Sequence, residues 1–243
     1  MSAVEPRFAT VAAAQDERTA AHVVMQIAAT IWWNLPLLLG VDLILLLGAL
    51  PTVVAAVVAP AVAPVVAAAT FGPLWVATIA LTDRLWTGRA GSLPLVVRLV
   101  RRHWATGVTL SLVPAVGITI LLGTLQIVRD HPDQRWLLVP LLFDGSAIVL
   151  IMLAGFAVVS LAVTTGLHGR AAWRGALVLV AVRPAPTLML LTLVALIASA
   201  ARLLGPVFLI SIVAPFAVVL SATTARALHG WPARIITREG VER

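Results

Sequence analysis

The sequence predicts an all-α fold: a polytopic membrane helix bundle of six transmembrane helices, with cytoplasmic interfacial helices and both termini inside. Three observations predict it. First, 61% of the 243 residues are hydrophobic, 11% are charged and the mean hydropathy is +1.05. Soluble domains are nearer half apolar and a quarter charged. Second, the apolar residues gather in runs of the length needed to cross ~30 Å of hydrocarbon. In lipid the backbone must satisfy its own hydrogen bonds, so each run is expected to be a helix. Third, all 17 positive charges are arginine, and they are distributed unevenly between the gaps.

Six runs emerge in order: 25–50, 53–81, 106–128, 136–165, 185–203 and 206–228. Leu50-Pro51-Thr52 reads as a tight turn between the first two. Pro60, Pro64 and Pro73 predict a kink or break in the second. The gap 129–135 is a polar turn, and Gly205-Pro206 is a tight one. Residues 1–24 then form a cytoplasmic N-terminal tail, 25–230 the transmembrane domain and 231–243 a cytoplasmic C-terminal tail. The N-terminal residues lack the basic, apolar and small-residue layout of a cleaved signal peptide.

Arginines give the orientation. Fourteen lie in the tails and alternate gaps, against three (Arg129, Arg135 and Arg202) on the other side. Positive charge is retained on the cytoplasmic side, which puts both termini there. The net charge of +7 flanks apolar runs. Anionic headgroups are therefore the expected partner, and nucleic acid is not. With no cysteine, thiol catalysis, disulfides and thiolate metal sites are excluded. Absent lysine and tyrosine beside abundant Ala, Val, Leu and Arg suggest a GC-rich bacterial genome, hence a bacterial cytoplasmic membrane.

Leu93, Val96, Val97, Val100 and Trp104 recur at helical spacing, with Arg98, Arg101 and Arg102 opposite. That pattern predicts an interfacial amphipathic helix at about 90–105 that anchors the bundle in the headgroup layer or docks a partner. Trp173 and Arg174 repeat the theme in the gap 166–184. These arginines and Trp104 are the candidate lipid- or partner-binding residues.

Two carboxylates interrupt apolar runs. Asp42 lies eight residues before Leu50, and Asp144 eight residues after Trp136. Both are expected about 12 Å below the outer surface. A charge at that depth needs a partner. Matching depth lets the two approach one another, or lets Arg202 assist, with Asn34 deeper in the first span. The plain reading is a neutral Asp in an interhelical hydrogen bond, and the alternative is a proton or cation relay. The five histidines lie near span ends without metal-ligand spacing. No catalytic residue, cofactor or metal ligand is assigned.

A faint repeat relates the stretch from Gly72-Pro73 to Gly88 with that from Ala214-Pro215 to Gly230. The third outside-to-inside run, through Phe156 and Ser160 to Gly169, ends similarly.

Asn34-Leu35, Leu50-Pro51, Gly72-Pro73 with Ala77-Thr78 before Arg84, and Arg101-Arg102-His103-Trp104 resemble the YesL-like family of small bacterial multi-pass membrane proteins. So does Trp173-Arg174-Gly175-Ala176 through Arg183-Pro184. The resemblance covers about residues 25–230. It implies an accessory role beside a carbohydrate ABC uptake system, with that system's permease or ATPase as partner. It supplies no catalytic residue. The alternative reading is a membrane transport subunit, or a secondary carrier using the intramembrane Asp residues.

Overall fold

A computed structural model describes residues 22–131, 133–182, 188, 192–197, 199–200 and 212–228. Among these, all regular structure is helical. Helix α1 (22–33) leads into α2 (Leu35–Val58), followed by α3 (Ala63–Trp86) and α4 (Leu93–Asp130). A 3-10 turn (Arg135–Leu137) opens α5 (Leu138–Thr165). Then come α6 (Gly169–Val182), further helical residues at 188, 192–197 and 199–200 within the predicted fifth span, and α7 (Val213–Leu228). Four helices, α2 to α5, are long and apolar enough to cross a membrane. The predicted span 185–203, the start of 206–228, both tails beyond residue 22 and Arg202 lie largely or wholly outside the described residues.

Pro36 sets the break between α1 and α2. Its missing N–H and its ring interrupt the helix one turn upstream. Asn34 fills the gap: its amide Nδ2 donates to the Thr30 carbonyl at 2.9 Å, and its own carbonyl accepts from Leu38 N at 2.9 Å. Asn34 therefore joins two helices instead of lying deep in a span. Trp32 and Trp33 point outward beside it.

The first predicted turn is misplaced. Helix α2 continues through Pro51 to Val58, and the chain reverses at residues 59–62. A proline inside a long apolar helix loses one hydrogen bond. The backbone's need to satisfy its hydrogen bonds within the helix and the later Pro60 decide where the helix ends.

Residues 93–105 are likewise not a separate interfacial helix. They form the first turns of the 38-residue α4. Val96 and Leu99 are buried against α3 and α2, while Leu93, Val97 and Trp104 stay substantially exposed. The face chosen by tertiary packing is rotated from the face chosen by counting apolar residues, because α3 supplies a partner on that side.

Helix α3 sits at the centre and touches α2, α4, α5 and α7. Its small residues make this possible. Gly72-Pro73 meets Gly107 of α4 with backbone almost in contact, a close approach that only glycine permits. One half of the core gathers Val76, Ile79, Leu110, Val158, Phe216 and Leu220. The other gathers Leu38, Val41, Leu81, Val96, Leu99 and Val218. Helix α3 stops at Gly88 (φ 75), where Arg89 N–H returns to the Arg84 carbonyl at 2.9 Å. Helix α5 stops at Gly166 in the same left-handed conformation.

The gap 166–184 is also more than a connector. Helix α6 places Ala172, Ala176 and Leu179 in the core against α5, with Arg174 on its exposed side.

Candidate intramembrane polar site

Asp42 lies on the face of α2 that meets the start of α7. It is 2% exposed. Its Oδ1 accepts the Ala214 backbone N–H at 2.7 Å. The first turn of a helix leaves backbone N–H groups without helical partners and carries partial positive charge. Asp42 satisfies one such donor, and the next residue, Pro215, has none. A carboxylate from a helix 172 residues earlier therefore caps a helix that begins inside the bundle. Oδ2 of Asp42 is buried without a hydrogen-bond partner among the described residues.

Two fully buried hydroxyls join α3 to α7. Thr82 Oγ1 and Ser221 Oγ are 2.8 Å apart, and Thr82 Oγ1 also lies 3.0 Å from the Ile79 carbonyl. Trp75 stacks with Phe216 at 6.4 Å, and Phe156 meets Phe216 edge-on at 5.7 Å. Since 75 pairs with 216 and 82 with 221, α3 and α7 run parallel. Sequence reading passed over Thr82 and Ser221. The available signal was that each interrupts one of the two segments compared as a faint repeat. Replacing Thr82 by Val and Ser221 by Ala, singly and together, should reveal a coupling of about 0.6 kcal/mol in a double-mutant cycle measured by unfolding in detergent. Strictly additive losses would show that the two hydroxyls do not stabilise one another.

Asp144 belongs elsewhere. Its Oδ2 accepts the Thr124 hydroxyl at 2.6 Å, beside the α4–α5 turn. Asp42 lies toward the other end. Thr52 meets Thr70, and Gly48 meets Leu74, which puts Asp42 level with Ala80 of α3. Gly107 against Pro73 then puts Ala80 level with residue 100 of α4. Thr124 and Asp144 are thus roughly 35 Å away along α4. The expectation that the two carboxylates share one depth is overturned. Two causes add: depth was counted from Leu50 when the hairpin reverses at 59–62, and that reversal lies about 13 residues of α4 short of the α4–α5 turn.

Arg98, Arg101 and Arg102 share the exposed face of α4, one turn apart, with half-exposed Trp104 at its edge. A separate cavity of about 260 Å³ lies between α3, α4 and α5, lined by Phe71, Trp75, Pro114, Met152 and Phe156. No group of three or more His, Asp or Glu suited to a metal occurs among the described residues.

Together these features define an all-helical protein with four helices suited to a membrane and a small polar joint inside the bundle. No family model, curated protein or solved structure matches the chain.

Proposed function

We propose that this chain is a multi-pass protein of the bacterial cytoplasmic membrane, with both termini inside, that assists a membrane partner. The reading rests on one observation: α4 buries Val96 and Leu99 against its own bundle and turns Arg98, Arg101 and Arg102 outward beside Trp104. Three guanidinium groups on one helix face suit anionic headgroups or acidic side chains of a neighbouring protein. The resemblance to the YesL-like family supplies the class of partner, the permease or ATPase of a carbohydrate ABC uptake system. The buried polar groups support the accessory reading over a carrier. Asp42 is engaged by the start of α7 and Asp144 by Thr124, so a relay passing directly between them has no geometric support.

The test is co-purification from the native membrane in mild detergent. The wild-type chain should bring down the permease or ATPase. Changing Arg98, Arg101 and Arg102 together to Ala should reduce recovery severely while leaving the fold intact by circular dichroism. Reproducible isolation of the wild-type chain alone would sink the proposal.

A further inference from the structure

The α2–α3 hairpin turns at residues 59–62, and its tip carries no polar side chain. Every residue from 53 to 69 is Val, Ala or Pro. Thr52 and Thr70 close this apolar stretch, with hydroxyls 3.4 Å apart. The tip is not packed away, since Val57 is 80% and Val58 79% exposed. The α4–α5 turn has the opposite chemistry, with Arg129, Asp130, His131, Asp133, Gln134 and Arg135 in sequence.

The two turns lie at different heights. Gly107 packs on Pro73 and the helices are antiparallel, which puts Ala63 level with residue 117 of α4. Pro64 lines the same cavity as Pro114, Ala115 and Ile118, in agreement. Helix α4 therefore continues for about 13 residues, or ~20 Å, past the tip of α2–α3. Over that extra height α4 and α5 still present Ile120, Ile127, Val139 and Phe143 outward. On α4 itself the nearest charges on either side of this level are Arg102 and Arg129. They stand ~40 Å apart, which accommodates ~30 Å of hydrocarbon with arginines reaching outward at both ends. The tip falls between them.

We infer that the α2–α3 hairpin stops inside the hydrocarbon, with its apolar turn in contact with acyl chains of the leaflet on the side of the 131–137 turn. Free backbone donors are the obstacle to any turn in lipid. This one has few. Pro60 and Pro64 carry no N–H. Ala59 N–H donates to the Ala55 carbonyl at 2.7 Å, and Val62 N–H to the Ala59 carbonyl at 2.9 Å. The hairpin is then re-entrant. It enters and leaves on one side, so the sidedness of its two ends is unchanged, and its tip is a lipid-contact surface below the level reached by α4 and α5.

The chain has no cysteine, so single cysteines report without background. Val58→Cys, Ala61→Cys and Gln134→Cys in the full chain would each carry a nitroxide in phosphatidylcholine–phosphatidylglycerol vesicles. Collision with oxygen, which enters lipid, is compared with collision with a water-soluble nickel chelate. At 58 and 61 oxygen accessibility should be high, and nickel accessibility roughly tenfold below that at 134. Equal nickel accessibility at 58, 61 and 134 would put the tip in water and overturn the inference. Low accessibility to both reagents at 58 and 61 would show a tip covered by protein, and would overturn it too.

Discussion

Gly107→Ala is expected to destabilise the bundle more than any other single-methyl addition considered. Gly107 is buried where α4 crosses Gly72-Pro73 of α3. An added Cβ would overlap Pro73 Cα and lie 2.7 Å from Pro73 N and 3.0 Å from the Gly72 carbonyl carbon. These are backbone atoms of a helix held on four sides, so no side-chain rotation relieves the overlap. The two helices must separate along their contact, at a cost of about 3 kcal/mol, the upper part of the usual range for overpacking. Gly123→Ala is the internal control. It sits on the same helix with nothing within 4 Å of its added Cβ. There the methyl should stabilise slightly through helix propensity, by about 0.5–1 kcal/mol. Thermal unfolding of both variants in the same detergent decides the matter. Equal midpoints would mean that the α3–α4 crossing is looser than described.

Asp42→Leu should be the most damaging change to the polar joint. Leucine fills the space but offers no acceptor to the Ala214 N–H, which would then be buried and unpaired at the start of α7. Leaving such a donor unsatisfied costs about 1–3 kcal/mol. Asp42→Asn keeps a carbonyl oxygen in the same position, so it should lose less than about 1 kcal/mol. The contrast between the two separates an acceptor role from a requirement for charge. If Leu proves as stable as the wild-type chain in detergent unfolding, the 2.7 Å bond does not hold α7 in place. Loss of stability with Asn equal to that with Leu would instead show that the charge itself, opposite the helix N-terminus, carries the effect.

The polar joint and the basic face differ in how they arise along the chain. Arg98, Arg101 and Arg102 are neighbours by helical periodicity alone, so their shared face follows from spacing. Asp42 and Ala214 come together across 172 residues. No local pattern announces a backbone N–H as the partner of a carboxylate, because every residue but proline carries one. Asp144 shows the converse. Its partner Thr124 faces it across the α4–α5 hairpin, 20 residues away. The hairpin was legible from the polar turn at 129–135, but the pairing needed the register between the two helices.

Composition and apolar run length determined the class: helices throughout the described residues, four of them suited to a membrane. Lipid leaves a chain this apolar little choice, since each backbone group must be satisfied within its own segment. Sequence also located the polar α4–α5 turn. Tertiary structure alone decided where the first hairpin reverses. Pro51 and Pro60 are equally proline, and only the packing of α2 along α3 down to Thr52 and Thr70 selects the later one. It also decided which face of residues 93–105 is buried, and that Asp42 caps α7 while Asp144 stays at the far end. Depth in a membrane is a property of register between helices, and register is fixed by contacts such as Gly107 on Pro73, which a single chain's periodicity does not encode.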